Sequence, residues 1–173
     1  IEEGIVHAGR SAAAFSVTSD GTRDGSQTRC FLEGALPTDA VYGAWFYLPA
    51  LAENAGNWNL IHFRTGTLPF LLGLWDVSLR SGEDGRLFLY VLDFLRDNMA
   101  RIPEAAPPVP IGSWFHVEFR LRRAADATGE IALYQDGVLL LQVTSIVTDT
   151  ADFAQWYVGN LADGLTPTES TRN

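Results

Sequence analysis

The chain of 173 residues is long enough for one domain with a substantial core. Its composition, 47% hydrophobic and 12% aromatic residues, excludes collagen-like, coiled-coil and wholly disordered chains. The net charge of −9 argues against a nucleic-acid partner, and no apolar run is as long as a membrane span. We therefore expect a single domain over residues 1–173, with neither nucleic-acid binding nor membrane insertion.

Two residue counts restrict the chemistry further. Every one of the 12 basic residues is arginine, which excludes lysine Schiff-base and general-base chemistry. The single cysteine, Cys30, excludes an internal disulfide and a multi-thiolate zinc site, and we expect it to be a buried structural thiol. Because the chain starts at Ile1 rather than at methionine, we also expect it to be part of a longer protein.

Short β-branched and aromatic runs, separated by turn residues, predict strands along the first half of the chain. The predicted strands cover residues 12–18, 28–32, 41–48 and 57–64. The third ends at Pro49, which cannot continue the hydrogen-bond ladder of a central strand. The polar residues 19–27 and 50–56 are predicted to be loops.

The second half has the same texture. Strands are predicted at residues 70–80, 86–94, 114–122, 130–134, 138–144 and 155–160. Gln135-Asp136-Gly137 is a hairpin signal, because an Asp-Gly pair tolerates positive φ. Only residues 93–102 could instead form a helix. About ten strands at this spacing predict an all-β fold of two antiparallel sheets packed face to face.

Four stretches together resemble the concanavalin A-like lectin/glucanase superfamily, in its laminin-G-like and polysaccharide-lyase-like branch. They are the aromatic strand ending in proline at residues 41–49, the Gly-x-Trp strand entry at 110–119, the hairpin at 129–139, and Gln155–Asn160. The resemblance covers most of the chain and implies a two-sheet jelly roll. It implies little about activity, because this fold carries lectins, hydrolases, lyases and adhesive modules.

The C-terminal segment departs from this family pattern. Proteins of this kind often close the sheet with a further strand, but residues 164–173 are polar and contain Pro167. We therefore expect no strand there. A sheet edge left open in this way could bind a protein partner by β-augmentation.

Candidate ligand-binding residues follow from the alternation of side chains along two strands. Period two places His62 and Arg64 on one face of their strand, and Asp76, Ser78 and Arg80 on one face of another. If these strands are neighbours, His62, Arg64 and Arg80 could converge with Tyr90 and Gln155 on a polar groove. Ordinary cross-strand ion pairs on an outer surface are the alternative interpretation.

The resemblance suggests a specific chemistry for such a groove. Polysaccharide lyases of this fold use Tyr or His to remove the proton beside a uronate, while Arg, Gln or Asn neutralises the carboxylate. The acidic triplet of the glucanases, Glu-x-Asp-x-x-Glu, is missing from the sequence, which argues against glycoside hydrolysis.

Aromatic residues provide a second set of candidates, because aromatic rings stack on sugar rings. Trp45, Trp114 and Trp156 lie in apolar strands and are expected in the core. Trp58 and Trp75 lie near predicted strand starts, and these two are the aromatic candidates for stacking on a ligand.

No cofactor is expected. Residues 20–25 offer two carboxylates in one loop, but they lack the spacing of a calcium site, and turn chemistry is favoured. Nucleotide-binding and esterase motifs are also missing from the sequence.

These features rank three functions. The first is a non-catalytic module of an extracellular or cell-envelope protein that binds a poly- or oligosaccharide. The second is a structural or assembly domain that binds other subunits. The third is a polysaccharide lyase with His62 or Tyr90 as base and with Arg64 and Arg80 binding the carboxylate.

Overall fold

A computed structural model describes residues 1–18, 25–51, 58–67, 70–150, 154–163 and 170–172. Within these ranges the chain is built almost entirely of strands. They are β1 (Ser16–Thr18), β2 (Gly25–Gly34), β3 (Asp39–Tyr47), β4 (Trp58–Thr67), β5 (Phe70–Ser81), β6 (Leu87–Asp93), β7 (Met99–Arg101), β8 (Trp114–Arg122), β9 (Gly129–Gln135), β10 (Val138–Ile146), β11 (Ala154–Asp163) and β12 (Ser170–Arg172).

The strands form two antiparallel sheets. One has six strands in the order β2-β11-β4-β5-β6-β7, and the other has four strands in the order β10-β9-β8-β3. A separate pair joins β1 to β12 at the ends of the chain. The all-β, two-sheet prediction is confirmed. The expectation that residues 164–173 contain no strand is wrong, because Ser170–Arg172 pairs with Ser16–Thr18.

The core lies between the two sheets and is built from alternate residues of each strand. In β8, Phe115, Val117, Phe119 and Leu121 are buried, whereas the residues between them are partly exposed. Phe119 meets Phe63 of β4 across the sandwich at a ring-centroid distance of 5.3 Å. Burial of each such side chain stabilises the folded state by about 1.5–3 kcal/mol. These residues therefore determine which face of each sheet points to the core.

The turns follow the local signals. Between β9 and β10, Asp136 and Gly137 have φ of 51° and 77°, as the Asp-Gly pair predicts. The only helix in the described part of the chain is a single 3₁₀ turn, Phe94–Arg96, so none there could span a membrane. Asp97, at φ 55°, ends this turn, and the alternative of a helix over residues 93–102 is wrong.

Three expectations about burial are wrong. Trp114 is partly exposed and lies on the face of β8 opposite the core residue Phe115. Cys30 is exposed. Trp45 is 45% exposed, because the core positions of β3 are taken by its neighbours Ala44 and Phe46. The Trp45 ring lies between the rings of His7 and His116, at centroid distances of 3.9 and 4.8 Å.

Candidate functional site

A row of polar side chains crosses the outer face of the six-stranded sheet. Ile61 and Phe63 of β4 face the core, so His62 between them faces outward. The strand register places His62 directly opposite Asp76 of β5 on one side and Tyr157 of β11 on the other. Three adjacent strands therefore bring an imidazole, a carboxylate and a phenol together.

Asp76 orients the His62 ring. The Nδ1 atom of His62 contacts the Oδ1 atom of Asp76, and the two side chains are almost completely buried. Because an ionised carboxylate only accepts hydrogen bonds, Nδ1 of a neutral His62 carries the proton and Nε2 keeps a lone pair. The pair thus holds the imidazole in the form of a general base.

Tyr157 packs against the same imidazole. The two rings stack with centroids 4.5 Å apart and planes 20° from parallel. On β2, Arg29 places its guanidinium carbon 4.5 Å from the centroid of the Tyr157 ring. The residue opposite Arg29 is Gly159, where an added Cβ would come within 2.8 Å of the Cβ of Arg29. The missing side chain at Gly159 gives Arg29 room to reach the tyrosine.

These surroundings keep Tyr157 protonated. Burial and, to a smaller extent, the nearby charge of Asp76 raise the pKa of Tyr157 to about 12, against the lowering effects of Arg29 and Arg64. The ring is only 3% exposed. At neutral pH the phenol therefore holds its proton and can donate it.

A second row of polar side chains lies one step along the strands. Gln155 of β11 faces Glu33 of β2 and Arg64 of β4. Its amide nitrogen donates to the Glu33 carboxylate, while its buried Oε1 atom has no hydrogen-bond partner within the described ranges. Arg64 and Gln155 therefore lie beside His62 and Tyr157, where the sequence had suggested a groove.

One aromatic side chain covers one side of the site. Phe94, in the 3₁₀ turn after β6, approaches the His62 ring edge-on at 5.9 Å. It also covers Gly73, where an added Cβ would lie 3.0 Å from the ring. Phe94 shields the imidazole from water and strengthens the electrostatic interactions around it.

The structure separates the other polar candidates from this cluster. Tyr90 and Arg80 lie on the same outer face, but the register places them opposite Ser78 and Phe88 of the β5–β6 pair. Neither is opposite His62. Arg80 is nonetheless on the same surface as His62, as the groove hypothesis requires.

Trp58 and Trp75 do not lie on the outer face beside His62, which contradicts the stacking role suggested for them. Both are core residues, 1% and 0% exposed. Their indole nitrogens donate to Asn160 Oδ1 at 3.1 Å and to the Thr148 carbonyl at 2.8 Å. A buried indole with a satisfied N–H is a structural residue.

Sequence reasoning missed Arg29 and Tyr157 as site residues. Both lie in predicted strands, and alternation from Gln155 already places Tyr157 on the same face. The sequence placed Asp76 on the outer face of its strand but gave no sign that it contacts His62, as it does in the structure. The position of β11 between β2 and β4 depends on contacts between distant parts of the chain. No short stretch of the sequence indicates it.

No metal centre accompanies the cluster. In the described ranges, no group of three or more His, Cys, Asp or Glu side chains could hold a metal ion. The weak calcium candidate at residues 20–25 falls almost entirely outside those ranges.

Comparisons with known proteins identify the fold. No family model matches the chain, and no curated protein matches it in sequence. Among solved structures, it is similar to an endo-β-1,4-glucuronan lyase from the fungus Trichoderma reesei, with a TM-score of 0.72, 16% identity, and coverage of 99% of this chain and 84% of that chain. The alginate lyase Aly36B gives a TM-score of 0.63 at 12% identity, with coverage of 92% and 76%.

A third similar structure is a cellulose-induced protein, Cip1, with a TM-score of 0.52, 12% identity, and coverage of 91% of this chain and 86% of that chain. At these identities the likeness shows the fold alone. The chain has a concanavalin A-like jelly-roll fold, as its sequence resemblance implied.

Proposed function

We propose that the protein is a polysaccharide lyase that binds a uronate-containing glycan on the outer face of the six-stranded sheet. One observation carries the proposal. His62, oriented by Asp76, stacks on Tyr157, and Arg29 lies over the same tyrosine ring. A base, an acid and a cation thus occupy one buried cluster, which is what proton abstraction beside a carboxylate requires.

The first requirement of this reaction is charge neutralisation. Removing the C5 proton of a uronate delocalises the electron pair onto the neighbouring carboxylate, which gains negative charge. The guanidinium groups of Arg29 and Arg64 stabilise that charge in a site from which water is largely excluded.

The proton transfers follow from the protonation states. His62 Nε2 takes the C5 proton, and the C5–H electron pair moves onto the carboxylate. The pair then forms the C4–C5 double bond as the C4–O bond breaks, and the leaving oxygen receives the proton of Tyr157, whose high pKa keeps the phenol neutral beforehand. The proton returns from His62 to Tyr157 through solvent, which restores the starting state.

The similar structures support this choice of substrate class. Two are described as a glucuronan lyase and an alginate lyase, and both polymers consist of uronic acids. A polymeric substrate lies outside the cell that degrades it, so the proposal includes an extracellular or cell-envelope location.

The test is the ultraviolet absorbance of the unsaturated product. We expect absorbance to rise on incubation with polyglucuronate or alginate, and not with a neutral glucan. Tyr157→Phe and His62→Gln should each lower the rate by about 100-fold or more. The control is Tyr134→Phe, on the outer face of the other sheet opposite Glu118, which should retain the wild-type rate. No product across the uronate panel would reject the lyase.

Non-catalytic carbohydrate binding is the second candidate. It is favoured by the burial of the titratable groups, since His62 and Asp76 are 8% and 2% exposed, which leaves them little surface for a substrate. Polysaccharide binding that Arg64→Gln weakens, together with no unsaturated product, would support this candidate instead.

A further inference from the structure

Arg80 is a cation without an anionic partner on the face that carries the proposed site. None of the ion pairs in the described part of the chain includes it, and its Nε atom is buried without a hydrogen-bond partner. We infer that Arg80 binds a second carboxylate of the glycan, on a different sugar unit from the one that reacts. This inference rests on the proposed uronate substrate.

The position of Arg80 separates it from the reacting groups. Side chains alternate along β5, so Arg80 shares the outer face with Asp76 and Ser78, opposite the core residues of that strand. Arg80 lies four residues beyond Asp76, or about 13 Å at about 3.3 Å per residue. This separation of the backbone positions exceeds the width of one sugar ring, which favours a second uronate unit at Arg80.

The ring of Phe88 holds this second position in place. Phe88 is directly opposite Arg80 on β6, with the Arg80 guanidinium 5.9 Å from the ring centroid. The ring packs over Gly82, where an added Cβ would come within 2.6 Å of it. The Arg86 guanidinium lies 5.7 Å from the same centroid, but it is paired with Asp84 at 2.6 Å. Unlike Arg86, Arg80 therefore has no ion-pair partner in the part of the chain that the structure describes.

Two neighbouring polar atoms also lack partners. Ser78 Oγ and Asn59 Oδ1 are buried and have no hydrogen-bond partner among the residues that the structure describes. Ser78 and Asn59 are directly opposite each other on β5 and β4. Unpaired buried polar atoms are costly and uncommon in folded proteins. Two of them between His62 and Arg80, beside the unpaired Arg80 Nε, indicate a surface shaped for hydroxyl and carboxylate groups of a ligand.

The net negative charge of the chain makes a local cation such as Arg80 important for binding a polyanion. A protein of net charge −9 repels a polyanion at long range, so binding depends on local cations. If Arg80 binds a second carboxylate, the preferred substrate carries uronates at more than one position. It also extends beyond the sugar units that contact His62.

The experiment compares Arg80→Gln with Arg86→Gln on short and long oligoglucuronates. We expect Arg80→Gln to raise KM for the long oligomers about tenfold, because one charged hydrogen bond to the substrate is lost. The kcat and the KM for the short oligomers should stay unchanged. Arg86→Gln touches the same ring but should leave both KM values at the wild-type level. Arg80→Met keeps the aliphatic stem against Phe88 and should behave like Arg80→Gln.

Calorimetric titration with the long oligomers separates this inference from the lyase proposal. Weaker binding by Arg80→Gln or Arg80→Met without cleavage by the wild type would reject the lyase and retain the second site. Unchanged KM and affinity for long oligomers, or equal losses on short and long ones, would overturn the second site whether or not the protein cleaves them. Thermal unfolding verifies the fold of each variant.

Discussion

The phenol ring of Tyr157 lies flat on the imidazole of His62, with 4.5 Å between the ring centroids. The two residues are 95 positions apart in the sequence, and antiparallel pairing of β11 with β4 places them directly opposite each other. Cross-strand pairs of this kind are the closest side-chain contacts a sheet offers. The stack joins a potential base to a potential acid without any loop to position either.

The first prediction concerns the ionisation of Tyr157. Because burial raises its pKa to about 12, we expect one phenol to ionise well above the ordinary value of 10. In an ultraviolet titration, phenolate absorbance of the wild type minus that of Tyr157→Phe should show a single step near pH 12. Burial also raises the pKa of Tyr42, so only this difference isolates Tyr157. A difference step near pH 10 would contradict the prediction.

The same shift has a consequence for stability. The unfolded chain loses the Tyr157 proton near pH 10, whereas the folded chain holds it to about pH 12. The folded state therefore binds more protons in this window, and the free energy of unfolding falls as the pH rises from 10 to 12. Urea unfolding in that window should show a smaller loss for Tyr157→Phe than for the wild type.

The second prediction concerns Asp76, a positioning residue that acts through His62. Asp76→Asn keeps the side-chain size but removes the carboxylate that accepts the Nδ1 proton, so Nε2 is no longer held ready as a base. We expect kcat to fall about 100-fold with little change in KM, and the pH–rate profile to change shape on its acid limb. A purely structural role would leave that profile unchanged.

A control for Asp76→Asn is available on the opposite sheet. Asp39 is also paired, with Arg120 at 2.9 Å, and this hydrogen bond lowers the pKa of its carboxyl. It lies on the outer face of the four-stranded sheet, away from the groove. Asp39→Asn should keep both kcat and the pH–rate profile of the wild type.

The fold could be predicted from local signals because a sandwich repeats one simple pattern. Alternation of period two defined residues 114–122 as a strand with the bounds that the structure shows, and Asp136-Gly137 marked the adjacent hairpin. The short C-terminal strand was missed because its pairing with β1 joins the two ends of the chain. Nothing local to residues 170–172 indicates that contact.

The site was predicted only in part, for reasons visible at particular residues. Period two from His62 would turn Trp58 outward, but the register shift between Asn59 and Ile61 reverses the alternation and buries its ring. Tyr157 was missed because its role depends on which strands are neighbours. That order is set by packing across the whole sheet and not by the spacing of residues in the sequence.

The third prediction concerns a buried ion-pair group at the end of the six-stranded sheet. Asp93 is completely buried, and its Oδ2 accepts hydrogen bonds from Arg96 at 2.9 Å and Arg101 at 2.7 Å. These two hydrogen bonds join the 3₁₀ turn that contains Phe94 to β7. Asp93→Asn leaves two guanidinium groups without their anion, and we expect a loss of about 3 kcal/mol in the free energy of unfolding. Urea denaturation measures it, and a loss below about 1 kcal/mol would contradict the expectation.

The fourth prediction separates a core tryptophan from a sugar-binding one. Trp75→Phe removes the hydrogen bond to the Thr148 carbonyl and leaves a small cavity beside Phe119 in the core. We expect the free energy of unfolding to fall by about 2 kcal/mol, with oligouronate affinity unchanged. Phe31 provides the contrast, since its ring is 58% exposed and directly opposite Tyr157. Phe31→Ala should weaken oligouronate binding at little cost in stability. If instead Trp75→Phe weakened binding and Phe31→Ala lowered only the stability, the assignment of Trp75 to the core would be contradicted.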